Sequence, residues 1–167
     1  MKILVTGANG YIGMRLIPAL LEKGHEIICC VRNRARLPLD ESYHENLSVV
    51  EGDFLKSETL INLPRNIDVA YFLIHSMNSS TGNFKHLETQ TAENFRAYVD
   101  NTEASRIVYL SGIVNSEELS EHLESRYNVE QILSKSKAEL IVLRAGIIVG
   151  SGSASFEIIR DLVEKLP

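Results

Sequence analysis

The densest run of residues able to do chemistry stands near the start of the chain: Thr6-Gly7-Ala8-Asn9-Gly10-Tyr11-Ile12-Gly13, a G-x-x-G-x-x-G. Its chemistry would be phosphate binding. A chain that turns sharply while its N–H groups approach a pyrophosphate needs positions without a Cβ, and the first turn of a helix adds partial positive charge. Gly7 is expected to make the turn, Gly10 to admit the close approach, and Gly13 to let a helix pack tightly on a strand. With Asn9, Tyr11 and Ile12 they form the expected dinucleotide cradle. A glycine-rich turn without a ligand is the competing reading.

A second group follows. Arg32 lies nineteen residues after Gly13, within Val31-Arg32-Asn33-Arg34-Ala35-Arg36-Leu37. About 20 residues past the glycines, an NAD site carries Asp or Glu for the ribose hydroxyls, whereas an NADP site carries Arg for the 2′-phosphate. No carboxylate stands in this run. Guanidinium pairs with phosphate oxygens through charge-assisted bonds, so Arg32 and Arg36 point to NADP ahead of NAD. A solvated basic loop is the alternative. Asp53, in Gly52-Asp53-Phe54-Leu55, could accept from the adenine amino group with Phe54 packed nearby, or cap the helical segment after it.

These residues need elements to hold them. Strand patterns are expected at Lys2–Thr6, Glu26–Val31, Leu47–Glu51, Val69–Ile74, Arg106–Leu110 and Leu140–Leu143. Helical patterns fall between and after them at Tyr11–Lys23, Ser57–Leu63, Phe84–Val99, Ser120–Leu133 and Ser155–Leu166. Parallel neighbours need crossover connections, and those are right-handed almost always. The expectation is a doubly wound parallel α/β sheet, Rossmann-like, with strand order 3-2-1-4-5-6. Phe84, Leu87, Thr91, Phe95, Tyr98 and Val99 recur at helical intervals, as do Phe156, Ile159, Leu162, Val163 and Leu166, and both stripes read as core faces. Pro18 should disturb the first helix and Gly24 should end it. Residues 78–83 read as a polar loop.

Composition narrows the classes. The chain has 167 residues, 44% hydrophobic and 23% charged, with 17 Lys+Arg against 22 Asp+Glu and a net charge of −5. That fits one globular domain. An acidic balance gives no reason to attract a phosphate backbone, so nucleic acid is not an expected partner. The apolar runs Leu16–Leu21 and Val69–Ile74 fall far short of the ~20 residues of a membrane helix. No secretory signal is legible, and a cytoplasmic protein is expected. Cys29 and Cys30, adjacent in a strand, point to opposite faces and do not suit a disulfide. The five histidines, His25, His44, His75, His86 and His122, show no metal-ligand spacing, so no metal is expected.

On Thr6–Gly13, Val31–Leu37 and Gly52-Asp53-Phe54 the chain resembles the short-chain dehydrogenase/reductase superfamily, in its atypical, NmrA-like branch. Three stretches resemble a narrower group of bacterial NAD(P)-binding proteins whose longer members carry a C-terminal domain: residues 70–77, Arg106–Gly112 and Leu143–Gly150. Gly150–Glu157 is a further discriminating stretch. The resemblance implies a dinucleotide across the carboxyl ends of the strands, with Ile74, His75, Ser76, Ser111, Ala145, Gly146 and Ile147 lining its ribose and nicotinamide. It also implies a Ser, Tyr and Lys catalytic set, for which Ser111 and Tyr127 are the candidates, with His75 as another proton donor. The lysine is missing. Gln131 stands four residues after Tyr127, and Lys135 and Lys137, eight and ten residues on, cannot take that helical position. Tyr127 is otherwise an aromatic spaced four from Leu123, and His75 a hydrogen-bonded structural residue.

Two readings therefore stand. One is the NADP(H)-binding domain of an oxidoreductase acting on an unknown small molecule. The other is a non-catalytic NADP(H)-sensing or structural module working through a protein partner. By the same resemblance, residues 1–167 are expected to be a dinucleotide-binding domain cut before a substrate lobe.

Overall fold

The alternation of short apolar runs with amphipathic stretches folds as βαβ units. The structure, a computed structural model, describes residues 1–39, 42–75, 84–113 and 121–166. The elements are β1 (Lys2–Thr6), α1 (Tyr11–Glu22), β2 (Glu26–Val31), β3 (Leu47–Glu51), β4 (Val69–Phe72), α2 (Phe84–Val99), β5 (Arg106–Gly112), α3 (Glu121–Leu133), β6 (Glu139–Ala145) and α4 (Ala154–Lys165). Single 3₁₀ stretches cover Arg34–Arg36 and Ser57–Asn62. The six strands form one parallel sheet in the order β3-β2-β1-β4-β5-β6. This is the expected doubly wound topology, whose order reverses between β1 and β4.

Strand pleating divides the core between two faces. Ile3, Val5, Ile27, Cys29 and Val31 meet Ile17, Leu20 and Leu21 of α1. On the other face Leu4, Ile28, Ala70, Phe72 and Ile107 meet Phe95 and Val99 of α2 and Val129 and Leu133 of α3. Phe95 anchors that side, its ring centroid 4.8 Å from Phe72 and 5.4 Å from Phe54. Cys29 and Cys30 fall in opposite clusters, as adjacent strand residues must, and burial pushes both thiols up to about 12.

Three local features, two of them departures from the sequence expectation, have physical causes. β4 ends at Phe72, two residues early, because Leu73 N–H donates to Thr6 Oγ1 at 3.3 Å and Thr6 Oγ1 donates to Tyr71 O at 2.9 Å. Pro18 sits inside α1 without ending it, and α1 stops where Gly24 N–H and His25 N–H return to Leu21 O and Leu20 O. The third concerns α4. Its apolar stripe was expected to be a core face, yet α4 has no buried residue, and Ile159, Leu162, Val163 and Leu166 are exposed. Ile141 and Leu143 on β6 are exposed as well, since no described element covers the α1 side of the sheet beyond β4. Among the described residues no helix is long and apolar enough to cross a membrane.

Candidate functional site

The carboxyl ends of the strands open into one cleft of about 970 Å³. Its floor is the glycine turn. Gly7 adopts φ +64°, the left-handed region that a side chain disfavours, and a Cβ there would stand 2.6 Å from Leu73 O. At Gly13 a Cβ would lie 2.6 Å from Ala8 O and 2.7 Å from Gly7 O, so α1 packs on the turn backbone to backbone. Gly10 differs: a Cβ would meet only Gly7 O, at 3.1 Å, and the residue lines the cleft. Gly10 is also the N-cap of α1 and offers no side-chain cap, which leaves the first-turn N–H groups without a side-chain acceptor among the described residues. A cradle without Cβ atoms, under an uncapped helix N-terminus, fits a pyrophosphate.

The β2 end carries the charge. Arg32 and Arg36 both line the cleft. Arg34 does not; its N–H donates to Glu51 Oε1 at 2.7 Å and its Nη1 reaches Val49 O at 3.4 Å. Asp53 lines the same end while its Oδ1 accepts from Leu55 N–H at 3.0 Å, so the carboxylate caps a local turn and still faces the cleft. The 3₁₀ stretch beyond it begins at Ser57 with Lys56 as its N-cap. α2 fixes this turn: Asn94 Nδ2 donates to Phe54 O at 2.7 Å and Gln90 Nε2 to Leu55 O at 3.3 Å. Phe54 lines the cleft but is 2% exposed, its ring packed at an angle against Phe95 and Tyr98 in the core.

At the opposite end, where β4, β5 and β6 finish, Ile74, His75, Ser111, Ala145 and Gly146 line the cleft. Ser76 lies outside the described residues. Ile147 is 69% exposed and does not line the cleft; Ile148 does. Burial lowers the His75 imidazole to about 4, with the Arg126 charge acting in the same direction, so His75 is neutral at pH 7. It is then no reservoir of a proton at that pH. The Ser111 hydroxyl is buried, and among the described residues its Oγ has no hydrogen-bond partner of good geometry, although the Tyr109 phenol lies close enough to feel it. The Tyr109 phenol itself is pushed up to about 12 by burial, and its hydroxyl donates to Arg126 O at 3.3 Å.

Tyr127 is not brought to the cleft. It is 47% exposed, because the inward side of α3 is fixed by buried Ser125, Val129, Ile132 and Leu133. The α3 residues that reach the cleft are Leu123 and Arg126, neither singled out from the sequence. Their phase was readable: Arg126 stands three before Val129 and seven before Leu133, on the helix side the apolar residues choose. Also unexpected is the wall formed by Ser153, Ala154 and Ser155 at the start of α4. Arg15 holds the preceding loop, Nη2 to Ser151 O at 2.6 Å, and stacks over the Tyr11 ring at 4.6 Å. A Cβ at Gly150 would strike the Tyr11 hydroxyl. No metal-binding cluster of His, Cys, Asp and Glu occurs among the described residues.

Comparison with known proteins agrees with this geometry. Residues 7–161 match the family model described as NAD(P)H-binding. The chain is similar to a 3-beta-hydroxysteroid dehydrogenase of Mycolicibacterium neoaurum, 36% identical over 70 residues, 42% of this chain and 18% of that protein. It is similar to a dTDP-6-deoxy-L-talose 4-dehydrogenase (NAD(+)) of Aggregatibacter actinomycetemcomitans, 38% identical over 73 residues, 41% of this chain and 25% of that protein. Among solved structures, the Bordetella bronchiseptica enzyme WbmH in complex with NAD+ superposes with TM-score 0.76 at 20% identity, over 98% of this chain and 62% of that one. The chain thus spans less than two thirds of each of these relatives.

Proposed function

This chain belongs to the NAD(P)H-binding family, and from that premise we propose that it binds NADP(H) in preference to NAD(H), as the cofactor-binding domain of an oxidoreductase. The observation that carries the NADP preference is the pair Arg32 and Arg36, both facing the cleft at the end of β2. In this reading the two guanidinium groups hold the 2′-phosphate, and Asp53 accepts from the adenine. N–H groups at Gly7–Gly13 receive the pyrophosphate with the Asn9 and Tyr11 side chains beside it, and Ile74, His75, Ala145 and Gly146 surround the nicotinamide ribose. Bound NADPH would supply a hydride. The chain's own part is to bind and orient the dinucleotide, with Ser111 Oγ as a hydrogen-bond donor toward a small-molecule acceptor.

The domain reading is of the same kind. Residues 1–167 are proposed as the dinucleotide half of a longer protein, placed before a substrate lobe and working in the cytoplasm. Exposed Ile141 and Leu143 on β6, with the exposed stripe of α4, support a further layer there. A second reading, a non-catalytic NADP(H) module acting through a protein partner, draws on the exposure of Tyr127 and on Gln131 where a lysine is expected. NADPH oxidation by the full-length polypeptide across a panel of carbonyl and enone compounds separates the two. Turnover that falls at least tenfold in Ser111→Ala supports the enzyme; tight NADPH binding with no turnover on any compound supports the module.

A further inference from the structure

The cleft holds a cation that no expected role uses. Arg126 projects from α3 into its β5 end, where among the described residues Nη1 makes a single long contact, to Leu110 O at 3.4 Å. Among the described residues it forms no ion pair. The nearby carboxylates are engaged elsewhere: Glu88 accepts from Ser125 Oγ, and Glu130 pairs with Arg144 at 2.5 Å. Beside it stands the second observation, the Ser111 hydroxyl, 2% exposed and without a partner of good geometry. The buried unmatched hydroxyl is costly to maintain, the half-buried guanidinium has donors to spare, and an anionic oxygen acceptor would satisfy both. His75 and Tyr109 nearby are uncharged at neutral pH, and the two carboxylates that act on Tyr109, Glu88 and Glu130, are the ones held by Ser125 and Arg144. Among Arg126, Ser111, His75 and Tyr109, Arg126 carries the full charge.

We propose that Arg126 and Ser111 together hold the carboxylate of a small acidic substrate beside the dinucleotide. A carboxylate presents two oxygens in the plane that a guanidinium fork matches, and a hydroxyl at its edge adds a third donor. Position separates this role from cofactor binding. With the 2′-phosphate at Arg32 and Arg36, the pyrophosphate over the glycine turn and the nicotinamide ribose among Ile74, His75, Ala145 and Gly146, the polar groups left at the β5 end for a second ligand are Arg126 and Ser111. The proposal rests on the NADP(H) reading above, and it replaces an unspecified substrate with a class, small carboxylic acids.

Oxalate serves as the probe, an unreactive dianion, with oxamide as its neutral isostere. NADPH binding to each protein is first measured by fluorescence, and oxalate is then titrated by calorimetry at NADPH saturating for that protein. Oxalate is expected to bind the NADPH-loaded wild type, and oxamide is not. Arg126→Met should weaken oxalate about 10- to 100-fold and Ser111→Ala about 3- to 10-fold, the losses expected for charge-assisted hydrogen bonds. Arg126→Lys, which keeps the charge and spares the fold, should lose less than Arg126→Met. Thermal melts of each variant confirm that it is folded. Oxalate affinity unchanged in Arg126→Met, or no oxalate binding to a protein that does bind NADPH, overturns the proposal. Failure of the wild type to bind NADPH overturns the cofactor reading beneath it.

Discussion

Gly10 and Gly13 lie three residues apart in one motif, yet the structure assigns them different duties, and paired substitutions separate these. At Gly13 a Cβ would meet Ala8 O at 2.6 Å, Gly7 O at 2.7 Å and Ala8 Cα at 2.8 Å, all backbone atoms. Relief to an ordinary carbon–oxygen approach of about 3.3 Å requires α1 to retreat by roughly 0.7 Å. Overpacking of this kind costs about 3 kcal/mol, and the gain in helix propensity from Gly to Ala returns about 1, so Gly13→Ala should lose about 2 kcal/mol, or roughly 4–8 °C in Tm. Gly10, at φ −79° and ψ 166°, sits in backbone that any residue adopts. Its substitution by Val costs about 1 kcal/mol as a poor N-cap and up to about 1 more because Gly7 O, 3.1 Å from the added Cβ, must give, in all roughly 2–8 °C. The added side chain enters the cleft, however, and should abolish NADPH binding at concentrations tenfold above the wild-type Kd. Thermal melts and NADPH fluorescence titrations read the two effects. A Gly10→Val protein that binds NADPH within twofold of wild type would refute the cradle; a Gly13→Ala protein as stable as wild type would refute the packing.

Two other outcomes follow from the same coordinates. His75 is lowered from 6.5 to about 4, so between these values the unfolded state binds more protons than the folded one and stability rises with pH. The contribution, about 2–3 kcal/mol, should be complete above pH 6.5 and lost as pH falls to 4, and His75→Gln should flatten that part of a urea-melt pH profile. On α4, Leu162 and Val163 are exposed, so Leu162→Lys with Val163→Lys should change stability by no more than about 0.5 kcal/mol per site. The same pair should reduce binding of the dye ANS by the isolated chain, and unaltered dye binding would show that the α4 stripe is not an open apolar surface.

Most of the fold was legible because its signals are local and repeated. The strands β1, β2 and β3 are near-continuous apolar or alternating runs bounded by glycine or polar turns, and their sequence limits match the structure. The glycine spacing located the turn that floors the cleft, since strand, turn and helix are contiguous there. What escaped was tertiary. The end of β4 is set by a Thr6 hydroxyl from a different strand, and the loop before the Ser153–Ser155 wall is tied to α1 by Arg15, across 136 residues of sequence. Tyr127 drew attention by its type, whereas the burial phase of Ser125, Val129 and Leu133 decides that Arg126 is the residue facing inward. The α4 stripe shows the opposite limit: an amphipathic pattern marks a face that wants a partner, without saying that the partner is within this chain.

The most direct measurement of the central claim is the pair of dissociation constants for NADPH and NADH, on the wild type and on Arg32→Ala with Arg36→Ala. The wild type should bind NADPH at least tenfold more tightly than NADH. Removing the guanidinium groups should cost NADPH about 10- to 100-fold while moving NADH by no more than about twofold, because only the 2′-phosphate loses its charge-assisted bonds. Equal affinities in the wild type, or a preference for NADPH that survives both substitutions, would contradict the assignment of this cleft to NADP(H).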